Sequence, residues 1–170
     1  GPRSSRSRTP APERLIRNEV PTPMRTYLLL PLMLLASGAI HAENCSISLK
    51  ADDAMKFDQR TVTVDHACKT ITINLAHIGR LPAKSMGHNV VVTSSDAFQA
   101  VAQAGATAGL AGNYVPANDP RVIASTKVIG GGETTSTTFA GSLLKVGGAY
   151  MFFCSAPGHW TLMRGSVVVK

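Results

Sequence analysis

From Cys45 onward, apolar residues recur in short runs that alternate with polar ones. The alternation is cleanest in Thr61-Val62-Thr63-Val64 and Thr70-Ile71-Thr72-Ile73-Asn74-Leu75, where every second side chain is apolar. That is the period of a strand with one buried face. The same reasoning predicts strands at Cys45 to Leu49, Thr61 to Val64, Thr70 to Leu75, Asn89 to Thr93, Val122 to Ile129, Thr134 to Phe139, Ala149 to Phe153 and Gly165 to Val169. Between them stand Asp65-His66-Ala67, Gly79-Arg80-Leu81-Pro82, Gly130-Gly131-Gly132 and Val146-Gly147-Gly148, all of which carry turn-forming residues. Eight short strands spaced by turns predict an all-β sandwich or barrel with Greek-key connections. One stretch breaks the rhythm: Ser95 to Leu110 is alanine-rich and predicts a short inserted helix, with Ser94 or Ser95 as its expected cap. Its apolar positions are expected to pack against the sandwich.

The first 42 residues have a different character. From Met24 the chain runs Met-Arg-Thr-Tyr, then apolar residues to Ala36, then small residues ending at Ala42. This is the layout of a secretory signal peptide at 24–42, with cleavage expected after Ala42. Its apolar run falls short of the ~20 residues that a membrane-spanning helix requires. Residues 1–23 are rich in Arg, Ser and Pro without hydrophobic period, and are expected to be a disordered or misassigned upstream extension. The folded unit is therefore expected at 43–170, exported to the periplasm and free of membrane once the signal is cleaved. The formal charge is +7, but the first 42 residues hold six arginines against two glutamates. Most of the basic excess thus leaves with the signal, and nucleic acid is excluded as the expected partner.

Export also changes the reading of the three cysteines, Cys45, Cys68 and Cys154. An oxidising compartment lets disulfides persist, yet an odd number leaves one thiol over. The richest chemistry surrounds Cys154, in Tyr150-Met151-Phe152-Phe153-Cys154-Ser155-Ala156-Pro157-Gly158-His159-Trp160-Thr161-Leu162-Met163. Cys154, His159 and Met163 bring a thiolate, an imidazole and a thioether to one loop, a soft set that favours copper. A second imidazole is expected from His88, at the head of a strand; His66 and His77 lie less favourably and His41 falls within the signal. Two histidines, one cysteine and a weak methionine form the ligand set of blue-copper electron transfer. Each residue alone has an ordinary alternative: Met163 as a core filler, Cys154 as a buried hydrophobe, a histidine as a hydrogen-bonded core residue. A Cys/His hydrolase would need an open cleft and would leave His88 and Met163 idle. A zinc site would gain little from a thioether. A copper-buffering protein is the alternative function, and it would favour exposed, mobile ligands.

These residues carry a resemblance. Glu43-Asn44-Cys45-Ser46, Thr61-Val62-Thr63-Val64-Asp65, Met86-Gly87-His88-Asn89, Arg121-Val122-Ile123-Ala124 and the stretch from Tyr150 to Met163 closely resemble the azurins, periplasmic type I blue-copper proteins of the cupredoxin family. The resemblance covers Glu43 to Lys170 and implies an eight-stranded Greek-key β-sandwich holding one copper. It implies a Cys45–Cys68 disulfide. It places the copper between His88, Cys154 and His159, with Met163 and the Gly87 carbonyl farther off on either side. Asn89 would tie the ligand loops together. The implied activity is that of a monomeric single-electron carrier, not an enzyme, exchanging electrons with c-type cytochromes, a nitrite reductase or a dehydrogenase. An apolar patch around His159 would dock those partners, here Met55, Met86, Ala156, Pro157, Gly158 and Trp160. Val90 stands where the family usually has a buried tryptophan, so the core is expected to be filled differently there.

Overall fold

A computed structural model describes residues 44–170. The expected upstream extension and signal peptide lie outside the described residues. Eight strands form in order: β1 (Ser46–Ala51), β2 (Thr61–Val64), β3 (Thr70–His77), β4 (Val91–Ser94), β5 (Val122–Ser125), β6 (Thr134–Ala140), β7 (Tyr150–Phe153) and β8 (Arg164–Val169). A four-residue helical turn, α1 (Ala83–Met86), precedes β4, and the helix α2 (Phe98–Ala108) follows it.

The strands form two sheets, one in the order β1-β3-β6 and the other β2-β8-β7-β4-β5. β1 with β3 and β2 with β8 are parallel pairs, and the remaining pairs are antiparallel. Side chains alternate as the sequence demands: in β1 and in β8 every second residue is buried. Ile47, Leu49, Ile71, Ile73 and Leu75 of the smaller sheet meet Val62, Val64, Val92, Phe152 and Val167 of the larger in one apolar core. Val90, where the core was expected to be filled differently, is fully buried in it.

β4 departs from alternation because both of its faces are covered. Val92 faces the sandwich core, whereas Val91 joins Phe98, Val101, Ala102 and Phe153 in a second cluster under α2. Phe98, Val101, Ala102 and Gly105 recur at helical spacing and form the buried stripe of α2, which packs on the sandwich as expected. The expected serine cap is not used. α2 begins after Ala97 without a side-chain cap, and Asp96 instead accepts a hydrogen bond from the Ala97 N–H at 3.0 Å. The helix stops at Gly109, which has φ of 63°, a conformation that glycine tolerates. Cys45 and Cys68 are bonded, with Cα atoms 5.5 Å apart, and fasten the start of β1 to the turn before β3.

Candidate metal centre

Three segments converge at one end of the sandwich. Cys154 is the first residue beyond β7, and Met163 is the last before β8. The eight-residue return between them is held by its own backbone. Gly158 adopts φ of 80° and turns the chain so that the His159 N–H donates to the Ala156 carbonyl at 3.0 Å. The N–H groups of Leu162 and Met163 both donate to the His159 carbonyl, at 2.9 and 2.8 Å. The Cys154 N–H donates to the Met163 carbonyl at 3.0 Å and closes the loop. His88 comes from the other side, locked to Ile129 by two reciprocal backbone hydrogen bonds of 3.0 and 2.9 Å.

The result is a compact group of three donors. Cys154 Sγ lies 3.8 Å from His88 Nδ1 and 3.6 Å from His159 Nδ1, and the two Nδ1 atoms are 3.2 Å apart. Among the described residues, His88, Cys154 and His159 form the one cluster of His, Cys, Asp or Glu donors that could enclose a metal ion. His88 Nε2 donates to the Asp52 carbonyl at 2.9 Å, which leaves Nδ1 without a proton and turned toward the thiol. The Gly87 carbonyl lies 4.0 Å from Cys154 Sγ. Position 87 has no room for a side chain: a Cβ there would approach the Ala83 carbonyl oxygen to 2.4 Å and Val128 Cγ1 to 2.5 Å. Met163 is fully buried in the same apolar core as Cys154.

Burial sets the charge state of these groups. It pushes the Cys154 thiol up to about 11, against backbone hydrogen bonds from Asn89 and Ala156 that favour the thiolate. Burial also lowers His88 to about 4, with the neighbouring His77 and His159 acting in the same direction and the Asp52 carbonyl opposing. His159 is lowered by burial as well. The free site at neutral pH thus presents two neutral imidazoles and a protonated thiol, and a cation displacing that one proton would find its donors assembled.

The residues behind the donors are bonded to one another. Asn89 accepts the Ser155 N–H at 2.9 Å through Oδ1 and donates through Nδ2 to Ser155 Oγ at 2.9 Å and to the Asn113 carbonyl at 2.8 Å. It thereby bonds the segment after His88 to the residue after Cys154. Asp52 and Asn113 escaped sequence reasoning because the groups that meet His88 and Asn89 are their main-chain carbonyls, which leave no signature in residue type. Asn113 carries a weak signal, a left-handed φ of 56° that asparagine tolerates.

The rim is mixed. Pro157 and Gly158 are exposed, Met55, Met86 and Trp160 half-buried, and Ala156 buried. Gly87, Ala156, Pro157 and His159 line a cavity of about 190 Å³ together with Ala83, Lys84, Ser85 and Tyr114. Trp160 does not stand free at this rim: it packs beneath α2, with its ring 5.7 Å from that of Phe98.

A β-sandwich with a buried thiol and two imidazoles gathered at one end is a single-metal-ion domain of the soft-ligand type. Comparison with known proteins gives it a family. The model of the copper binding proteins of the plastocyanin/azurin family matches residues 43–170, and the chain belongs to that family. It is 53% identical to the azurin of Alcaligenes faecalis over 123 residues, 72% of this chain and 96% of that protein. With the azurin of Pseudomonas aeruginosa it shares 43% identity over 147 residues, 86% of this chain and 99% of that one. Among solved structures, the azurin Az-iso2 of the methylotroph Methylomonas sp. strain J matches with a TM-score of 0.71 and 41% identity, covering 74% of this chain and 98% of that chain. The metal for which this site is built is copper.

Proposed function

We propose that the chain is a single-electron carrier that works through one copper, which His88, Cys154 and His159 would hold, with Met163 and the Gly87 carbonyl as weaker donors. When bound, copper supplies a one-electron Cu(I)/Cu(II) couple. The protein's contribution is to hold the donors still. Cys154 yields its proton to become a thiolate, and the imidazoles of His88 and His159 present bare Nδ1 atoms. Asn89 and Asp52 fix the directions from which these donors approach. A site that rearranges little when an electron arrives or leaves exchanges electrons quickly.

The observation that carries this reading is the burial of the donor group: Cys154 and His88 are 0% exposed and His159 only 8%. A buffering protein would need exposed donors, and a hydrolase would need a substrate path to the thiol. His159 alone among the three approaches the surface, beside the cavity it lines, and serves as the electron's exit. Partners would dock on the rim formed by Met55, Met86, Ala156, Pro157, Gly158 and Trp160. Its class of partner is a periplasmic redox protein, such as a c-type cytochrome, a nitrite reductase or a dehydrogenase. Among the described residues no helix is long and apolar enough to cross a membrane.

The test is the visible spectrum of the 43–170 protein with Cu(II), beside Cys154→Ser. An intense band toward the red, bleached on reduction and absent from the variant, is expected. A pale complex unaffected by the substitution would overturn the reading.

A further inference from the structure

The segment 98–119, inserted between β4 and β5, touches both halves of the metal centre. At its start lies Phe98, 7% exposed. Its ring meets Phe153 edge-on at 4.9 Å and Trp160 edge-on at 5.7 Å, and the Arg164 guanidinium sits over it at 5.5 Å. Those three contacts are not scattered along the chain. Phe153 directly precedes Cys154, Trp160 directly follows His159, and Arg164 directly follows Met163. One ring of α2 therefore packs against the immediate neighbour of every site residue that the return loop carries.

Beyond α2, Asn113 reaches the opposite half. Its main-chain carbonyl accepts from Asn89 Nδ2 at 2.8 Å, and its own Oδ1 accepts the Val128 N–H at 2.8 Å. Asn89 directly follows His88, and Val128 directly precedes Ile129, the residue whose backbone brackets His88. The carbonyl is aimed by an αL turn that a β-branched or bulky residue would resist.

We propose that the inserted segment is the positioning scaffold of the metal centre, with Phe98 holding the Cys154-to-Met163 loop and Asn113 holding the His88 side. Aromatic edges and a cation over the ring face are directional contacts that a merely apolar residue of similar volume does not reproduce. Both residues act through the neighbours of the donors and touch no donor themselves. The inference rests on the copper-carrier reading, and it adds that the insertion keeps the donors in place before any metal arrives.

The test uses the metal-free protein first. Phe98→Leu keeps the buried volume and removes the aromatic edges. Asn113→Gly keeps the positive φ and the main-chain carbonyl and removes the side chain that carries Oδ1. Val101→Ala, buried in the same cluster but carrying no aromatic ring, serves as the control for general loosening of α2. In Phe98→Leu the Leu162 and Met163 amides are expected to exchange with solvent at least about tenfold faster, as local opening becomes easier. In Asn113→Gly the same acceleration is expected at His88 and Ile129. The Thr72 amide of the smaller sheet should keep its rate in both, and Val101→Ala should leave all four site amides unchanged. In the copper-loaded protein the two variants are expected to shift the red-end band and the reduction potential, which the control does not. Site amides that exchange at wild-type rates in both variants would overturn the proposal, as would equal acceleration in the control. The carrier reading fails separately, on a wild-type protein without the band.

Discussion

The end of β3 and the head of β4 each place a buried histidine beside the metal centre, and the two could hardly be more alike in surroundings. The rings of His77 and His88 are stacked, with centroids 4.6 Å apart and planes 25° from parallel. Both are at most 1% exposed. Each donates its Nε2 proton to a main-chain carbonyl, His77 to Met86 at 2.8 Å and His88 to Asp52 at 2.9 Å. They part at Nδ1. In His77 that atom accepts the Gly79 N–H at 3.1 Å, whereas in His88 it faces the Cys154 thiol. A histidine becomes a metal donor here only where the backbone leaves its second nitrogen free. Burial, ring stacking and the first hydrogen bond do not discriminate between the two.

The largest expected effect comes from removing the free nitrogen. His88→Gln should abolish the intense red-end band and weaken copper binding by more than roughly a hundredfold, the upper end of what losing an outer hydrogen-bond partner costs. Equilibrium titration with Cu(II) checks this, and an equal loss in His77→Gln would break the comparison. Next, the Cys45→Ser, Cys68→Ser double variant should lose about 3 kcal/mol of stability to denaturant while the band keeps its position. That result would separate the strength of the fold from the quality of the site, because the bridge fastens β1 to the turn before β3 and not the segments that carry His88, Cys154 and His159.

A third effect follows from the burial of His88. Its value of about 4 in the folded protein lies below the ordinary 6.5, so between these pH values the unfolded chain binds more protons. Stability of the metal-free protein is therefore complete above pH 6.5 and falls as the pH drops toward 4, by up to about 3 kcal/mol from this residue. Denaturant melts across that window should show the decline, and His88→Gln should reduce it to the part that His159, also lowered by burial, still contributes. Smallest is the effect at His77. His77→Gln should cost about 1–3 kcal/mol, the range for disturbing a buried hydrogen-bonded group, with the band retained.

The strand pattern was legible because alternation survives wherever one face of a sheet is buried, as in β1, β3 and β8. It failed at Val90-Val91-Val92, where α2 covers the second face and all three residues are buried. The start of α2 departs from the expected serine cap because no side chain caps it and Asp96 accepts only the Ala97 amide, a local choice that residue type alone does not decide. The three donors that meet were all named in advance, since their side-chain chemistry is written in the residue types. What holds them was not. The Asp52 carbonyl, the Asn113 turn and the Phe98 ring come from distant segments and act through backbone or packing, and only the folded chain brings them near.

The parallel pairing of β2 with β8 has a consequence for the order in which the molecule comes into being. Thr61 is paired with Ser166, so a strand near the front of the domain must wait for β8, far along the chain, before its ladder can form. The return loop that carries Cys154 and His159 is closed by that same last strand. Contacts between such remote parts of a chain slow the search for the native topology, to milliseconds or seconds for all-β domains. Until β8 has paired, the loop that carries Cys154, His159 and Met163 is not closed, so loading with metal follows folding as the final event in assembly.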